Sequence, residues 1–240
     1  MRLLRLRVVA LVCEKRKEEM RAVALLLAAC VWSCAGALTG VEMRLKRAGY
    51  VDVGTDVPGV LVDMMYSRAD NFTGRVLYDS LHHAFLHPDA ARALARAQKE
   101  LSRLAPGTHL LVKDAARPVG VQRSMFRAVR GTSKARYVAN PANGGGTHNY
   151  GVAVDVTLCD SLGRELSMGT PVDHLGPESH IEGEESLVAR GAITRRELER
   201  RRLLRRVMRS AGFLTIRKEW WHFELVRRAT AAGRYKLIDF

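Results

Sequence analysis

The chain of 240 residues is long enough to bury one sizeable core, and about 200 of those residues read as globular and as a single domain. Its net charge is +14, and the seven basic and three acidic side chains among residues 1–37 leave about +10 for the remainder. Such a surface favours anionic company, but not nucleic acid: no aromatic residues interleave with the arginines of 195–209, and no nucleic-acid-binding motif is present.

The N-terminus differs from the rest. Lys15, Arg16, Lys17 and Arg21 precede an apolar run at 22–31, which suits the core of a secretory signal and is too short to span a bilayer. Ala35-Gly36-Ala37 then offers a small-residue cleavage site. Residues 1–37 are therefore expected to be a leader and 38–240 the working domain, exported to a periplasm or envelope. Met20 is an alternative start, and Leu27-Ala28-Ala29-Cys30 is similar to a lipoprotein attachment sequence that would leave Cys30 acylated. A buried N-terminal helix is the competing reading. Cys13, Cys30 and Cys34 fall in this region, so Cys159 is expected as a buried free thiol with no internal disulfide.

Along the chain, residues 88–104 form an Ala-rich helix with Leu94, Leu101 and Leu104 turned inward, and a strand follows at 109–113. Arg117 comes next, before Pro118, which suits the opening of a second helix at 119–130. Residues 143–146 (NGGG) are a loop, not a phosphate cradle, since no Lys-Ser/Thr or helix follows. Residues 152–158 (VAVDVTL) read as a strand in which Asp155 shares a face with Ala153 and Thr157, while Val152, Val154, Val156 and Leu158 point into a core. Residues 171–176 are a loop bearing Asp173. Thr194 and Glu197 make a capping box for a helix whose apolar face is Leu198, Leu204, Val207, Met208 and Ala211, with its arginines solvated and Gly212 at its end. Strands at 213–216 and 221–225 close the pattern as a hairpin. The expected fold is α+β, a largely antiparallel central sheet flanked by helices, with the functional site on the sheet.

Four residues carry chemistry. An Asp inside an apolar strand is costly unless it is paired, hydrogen-bonded or bound to metal. His148, Asp155 and His222 supply two imidazoles and one carboxylate, three corners of a tetrahedron around a divalent zinc with the fourth left for water. Glu219, three residues before the last of them, can take that water's proton. In a regular strand Glu219 and His222 would face opposite ways, so joint action requires a turn or bulge near Glu219. His174 and His180 read as surface or supporting residues, and His82, His83, His87 and His109 have no carboxylate at a metal spacing.

His148, Gly151 and Asp155, followed by EWWH at 219–222, resemble the zinc signature of the D-Ala-D-Ala-directed metallopeptidases. VDMMYSRADNFTG at 62–74, DAARP at 114–118 and MGTPVD at 168–173 narrow the likeness to the D-alanyl-D-alanine dipeptidases, over roughly residues 53–225. The resemblance implies one zinc ion per chain held by His148, Asp155 and His222, Glu219 as catalytic base, and Arg117 polarising the scissile carbonyl. It also implies Asp173 and Tyr66 as substrate-binding residues, Asp173 meeting the free ammonium of a small dipeptide. Two departures stand out. Gly146 replaces a Ser common two positions before the first zinc His, leaving open whether Thr147 takes its place, and Met64-Met65 replace a Leu and a basic residue. The competing readings are a zinc carboxypeptidase or endopeptidase acting on wall stem peptides, and a non-catalytic wall-binding module of the same fold.

Overall fold

The computed structural model describes residues 38–240, so the expected leader and cleavage site, and Cys30, lie outside the described residues. Residues Thr39–Phe240 form one compact unit. Its framework is a five-stranded sheet in the order β2 (Leu61–Val62), β4 (Thr108–Asp114), β5 (Ala153–Asp160), β7 (Glu219–Glu224), β6 (Leu214–Ile216). Every pairing is antiparallel except that of β2 with β4, a short parallel edge that the sequence did not signal. A second, two-stranded sheet pairs β1 (Val51–Asp52) with β3 (Phe85–Leu86).

Two long helices cover the sheet. One spans Pro88–Leu104, as its spacing predicts: Pro88 opens it, the His87 ring accepts from Asp89 N, and Ala90, Ala93, Leu94, Ala97 and Leu101 are fully buried. Leu104, expected inside, is half-buried at its last turn. The other spans Arg195–Ser210 behind the Thr194/Glu197 capping box, with Leu198, Leu204, Val207 and Met208 fully buried. These helices pack on each other, the first also against β4 and the second against β5 and β7. One arginine of the second helix departs from the expected solvated face: Arg201 is 0% exposed. It lies three residues from both Leu198 and Leu204, which places it on the inward stripe. Shorter helices at Gly40–Arg47, Glu184–Ala189 and Arg228–Arg234 complete the shell.

Two irregularities in the sheet position the site. Between Val112 and Asp114 the β4–β5 register shifts, so Asp114 stands opposite Asp155. On the other side, β6 and β7 lose register between Thr215 and Ile216, and Ile216 pairs with Glu219. This is the bulge that the odd Glu219–His222 spacing demanded. Within β5 and β7 the pairing is regular: Val154 faces Phe223, and Asp155 faces His222.

Leu94→Ala removes fully buried methyl groups from the helix that packs on both the second long helix and β4. It is expected to cost about 2–5 kcal/mol, read as a lower urea midpoint with the affinity for divalent metal unchanged.

Candidate metal centre and cleft

Asp155 and His222 are cross-strand neighbours, so the sheet brings the carboxylate and one imidazole together: His222 Nδ1 lies 3.0 Å from Asp155 Oδ1. His148 comes from the single-turn helix Thr147–Tyr150 just before β5. That turn is fixed from several sides. Asn149 Oδ1 accepts from Gly146 N, Asn149 Nδ2 donates to Arg117 O, and Arg117 N donates to His148 O. Gly151 ends the turn at φ +66°, where a Cβ would fall 2.3 Å from the Tyr50 ring, so only glycine fits.

His148 Nδ1 lies 2.8 Å from the carbonyl oxygen of Ala115. A carbonyl only accepts, so the proton sits on Nδ1 and the Nε2 lone pair faces the cluster. Nε2 is 3.1 Å from His222 Nδ1 and 3.3 Å from Asp155 Oδ1. The far nitrogen of His222, Nε2, points toward Glu224 at 3.7 Å. All three donor atoms lie within 4.8 Å of one another and the three residues are buried, so they can hold a metal ion.

The donor set calls for a cation. Burial opposes ionisation of Asp155, but the two imidazoles outweigh it and hold the carboxyl well below the usual carboxylate range. Burial likewise opposes a charge on His222, yet hydrogen bonds to Asp155 and Glu224 push its pKa up to about 10. These donors therefore keep a proton in their midst unless a metal ion takes its place.

The remaining predicted residues line the same cleft: Glu219, Arg117, Asp173 and Tyr66. Burial pushes the Glu219 carboxyl up to about 8, the His222 charge opposing this and Asp155 adding to it. Asp173 is pushed up to about 7, first by burial and then by the charge of Asp155. Its carboxylate accepts a hydrogen bond from the Tyr66 hydroxyl, and its backbone has φ +64°, the one left-handed non-glycine among the described residues. Such strain persists only where the surroundings impose it.

Arg117 is clamped. Its Nε (2.9 Å) and one terminal nitrogen donate to Asp114 Oδ2, the other terminal nitrogen donates to Gln122 Oε1 (2.8 Å), and its guanidinium lies 5.4 Å from the Tyr66 ring centroid. Asp114 is fully buried and also accepts from the Tyr78 hydroxyl at 2.6 Å.

Sequence reasoning missed the residues that support these side chains. Glu224 was findable, since period two puts it on the face of His222. It accepts from Thr147 Oγ1 (3.0 Å) and Arg227 Nη1 (2.8 Å), so the Thr147 hydroxyl is engaged there. Arg201 was findable from its helical spacing. It donates to the carbonyls of Met168 (2.7 Å) and Glu178 (2.9 Å), tying down both ends of the segment that carries Asp173. The other histidines stand apart from the cluster: His83 pairs with Asp52, His109 with Gly59 O, His174 with Glu178 and His180 with the Tyr137 hydroxyl. Cys159 is a buried free thiol, as expected.

Asp114→Ala would leave the Arg117 guanidinium buried without its carboxylate. Loss of about 3–5 kcal/mol of stability is expected, measured by chemical denaturation of the metal-free protein.

A family model described as D-ala-D-ala dipeptidase matches residues 46–237. The D-alanyl-D-alanine dipeptidase of Escherichia coli (strain K12) is 32% identical over 180 residues, covering 75% of this chain and 86% of that protein. The D-alanyl-D-alanine dipeptidase of Enterococcus faecalis is 29% identical over 193 residues, covering 74% and 92%, and that of Synechocystis is 31% identical over 215 residues, covering 78% of each.

Proposed function

The chain belongs to the D-Ala-D-Ala dipeptidase family, and we propose that its cleft holds one zinc ion through His148, Asp155 and His222 and hydrolyses D-Ala-D-Ala to two D-alanines. The observation that carries this reading is the convergence of the three donors with a half-buried carboxyl, Glu219, and a fixed cation, Arg117, in one cleft. Donor separations of 3.0–3.3 Å suit the roughly 3.3 Å between corners of a tetrahedron with bonds of about 2.0–2.1 Å. Zinc bound there supplies an activated water and a Lewis acid for the scissile carbonyl.

The protein's own residues do the rest. Glu219 takes the proton of the attacking water and returns it to the leaving amine. Burial raises this carboxyl from the ordinary range toward neutral pH, where one group can both accept and return a proton. Arg117, held on two sides by Asp114 and Gln122, offers its charge where the carbonyl oxygen turns negative and needs no reorganisation to do so. Asp173 and Tyr66 receive the substrate's ammonium, whose charge favours the ionised form of a carboxyl that burial otherwise disfavours. The cleft encloses about 230 Å3, room for a dipeptide. The basic, apolar and small-residue stretches of 1–37 support export, which would put the enzyme beside wall-derived peptides, with Cys30 as the residue for a lipid anchor.

Purified enzyme is expected to release D-alanine from D-Ala-D-Ala and not from its N-acetylated form. Equal cleavage of both would favour a carboxypeptidase. Glu219→Gln is expected to lower turnover by ~10² to 10⁴ with zinc content unchanged by elemental analysis, and a variant with normal turnover would remove Glu219 from the mechanism. Zinc uptake near neutral pH should release about one proton, chiefly from His222, and affinity should weaken as pH falls. Calorimetry in buffers of different ionisation enthalpy measures both.

A further inference from the structure

The two arginines that line the cleft are engaged very differently. Each nitrogen of the Arg117 guanidinium already donates, to Asp114 or to Gln122. Arg228, the first residue of the helix Arg228–Arg234, uses one terminal nitrogen on backbone carbonyls, those of Asn143 and, at 3.5 Å, Gly145. Among the described residues its Nε and second terminal nitrogen have no hydrogen-bond partner, and no carboxylate lies within ion-pair distance. None of the acids of the cleft is paired with Arg228: Asp155 faces the imidazoles, Asp173 accepts from Tyr66, and Glu224 accepts from Thr147 and Arg227.

A dipeptide carries one positive and one negative end, and the cleft must answer both. If Asp173 takes the ammonium and the metal cluster takes the scissile carbonyl, the carboxylate lies beyond the cluster, away from Asp173. His148 leads back along the chain to that wall, through Thr147 and Gly146 to the carbonyls that anchor Arg228. Gly146 brings no side chain, and a Cβ there would crowd Ala139 at 3.3 Å. The Thr147 hydroxyl already donates to Glu224. Charge and vacant donors on this wall therefore come from Arg228.

We propose that Arg228 binds the substrate's terminal carboxylate and sets the enzyme's preference for a free acid at that end. This rests on the dipeptidase reading above. A guanidinium steadied by carbonyls on one nitrogen keeps its remaining N–H groups available for a carboxylate. Because Arg228 is exposed, its replacement leaves the core intact.

The test compares D-Ala-D-Ala with its C-terminal amide as substrates for the zinc-loaded enzyme, for Arg228→Met and for Arg228→Lys. The unsubstituted enzyme should prefer the acid. Arg228→Met should lose roughly 10- to 100-fold in kcat/KM for the acid, mainly through KM, and far less for the amide, so the preference collapses, with partial recovery in Arg228→Lys. Three results would overturn the assignment alone: an enzyme that cleaves acid and amide equally, an Arg228→Met variant with the preference intact, or equal losses on both substrates, which would mean that Arg228 only steadies the loop. Failure of the unsubstituted enzyme to cleave either substrate would instead sink the dipeptidase reading, and this assignment with it.

Discussion

Asp155 and His222 meet because two antiparallel strands hold them directly across from one another. A slip of one residue would turn His222 away and bring an indole or a phenyl ring to the cluster, since side chains alternate faces at every step. What forbids the slip is the other side of the same strands. Val154, Trp221 and Phe223 are fully buried, and exposing any of them costs about 1.5–3 kcal/mol. The residues that make the core thus also fix the metal donors, without any of them approaching a metal.

That arrangement crowds negative charge. Asp114 stands opposite Asp155, and like charges facing across a ladder are unfavourable. Arg117 resolves the conflict: it bonds Asp114 directly and comes within 3.9 Å of Asp155. Its place in the fold is therefore dictated twice, once by the carboxylates it neutralises and once by the oxyanion it is suited to meet. Arg201 plays a comparable part at greater distance. Burial pushes its pKa down to about 10, an electrostatic penalty met by backbone carbonyls that hold the Asp173 segment in place.

How much of this was legible in the sequence depends on the range over which each feature is determined. The long helices were readable because caps and apolar spacing are local, and the helix over Pro88–Leu104 matches its predicted bounds. Asp155 was readable because a carboxylate in an apolar run needs a partner. The parity of Glu219 and His222 even required an irregular strand, which the β6–β7 register shift supplies. The two-residue strand Leu61–Val62 was not readable, since it exists only by pairing with β4. Asp114 was in view within a motif, but its task emerged only once a bulge in β4 had set it opposite Asp155. Arg201 was misjudged because a basic helix suggests a wet face, although its spacing from Leu198 and Leu204 argued otherwise.

The two imidazoles are oriented by different kinds of partner. His148 leans on the main-chain oxygen of Ala115, whereas His222 looks to the side chain of Glu224. No codon change at position 115 can delete a peptide carbonyl, so the tautomer of His148 is insulated from single substitutions there. Glu224 has no such insurance. Drift in this lineage would therefore reach the metal centre more easily through the end of β7 than through the turn before β5.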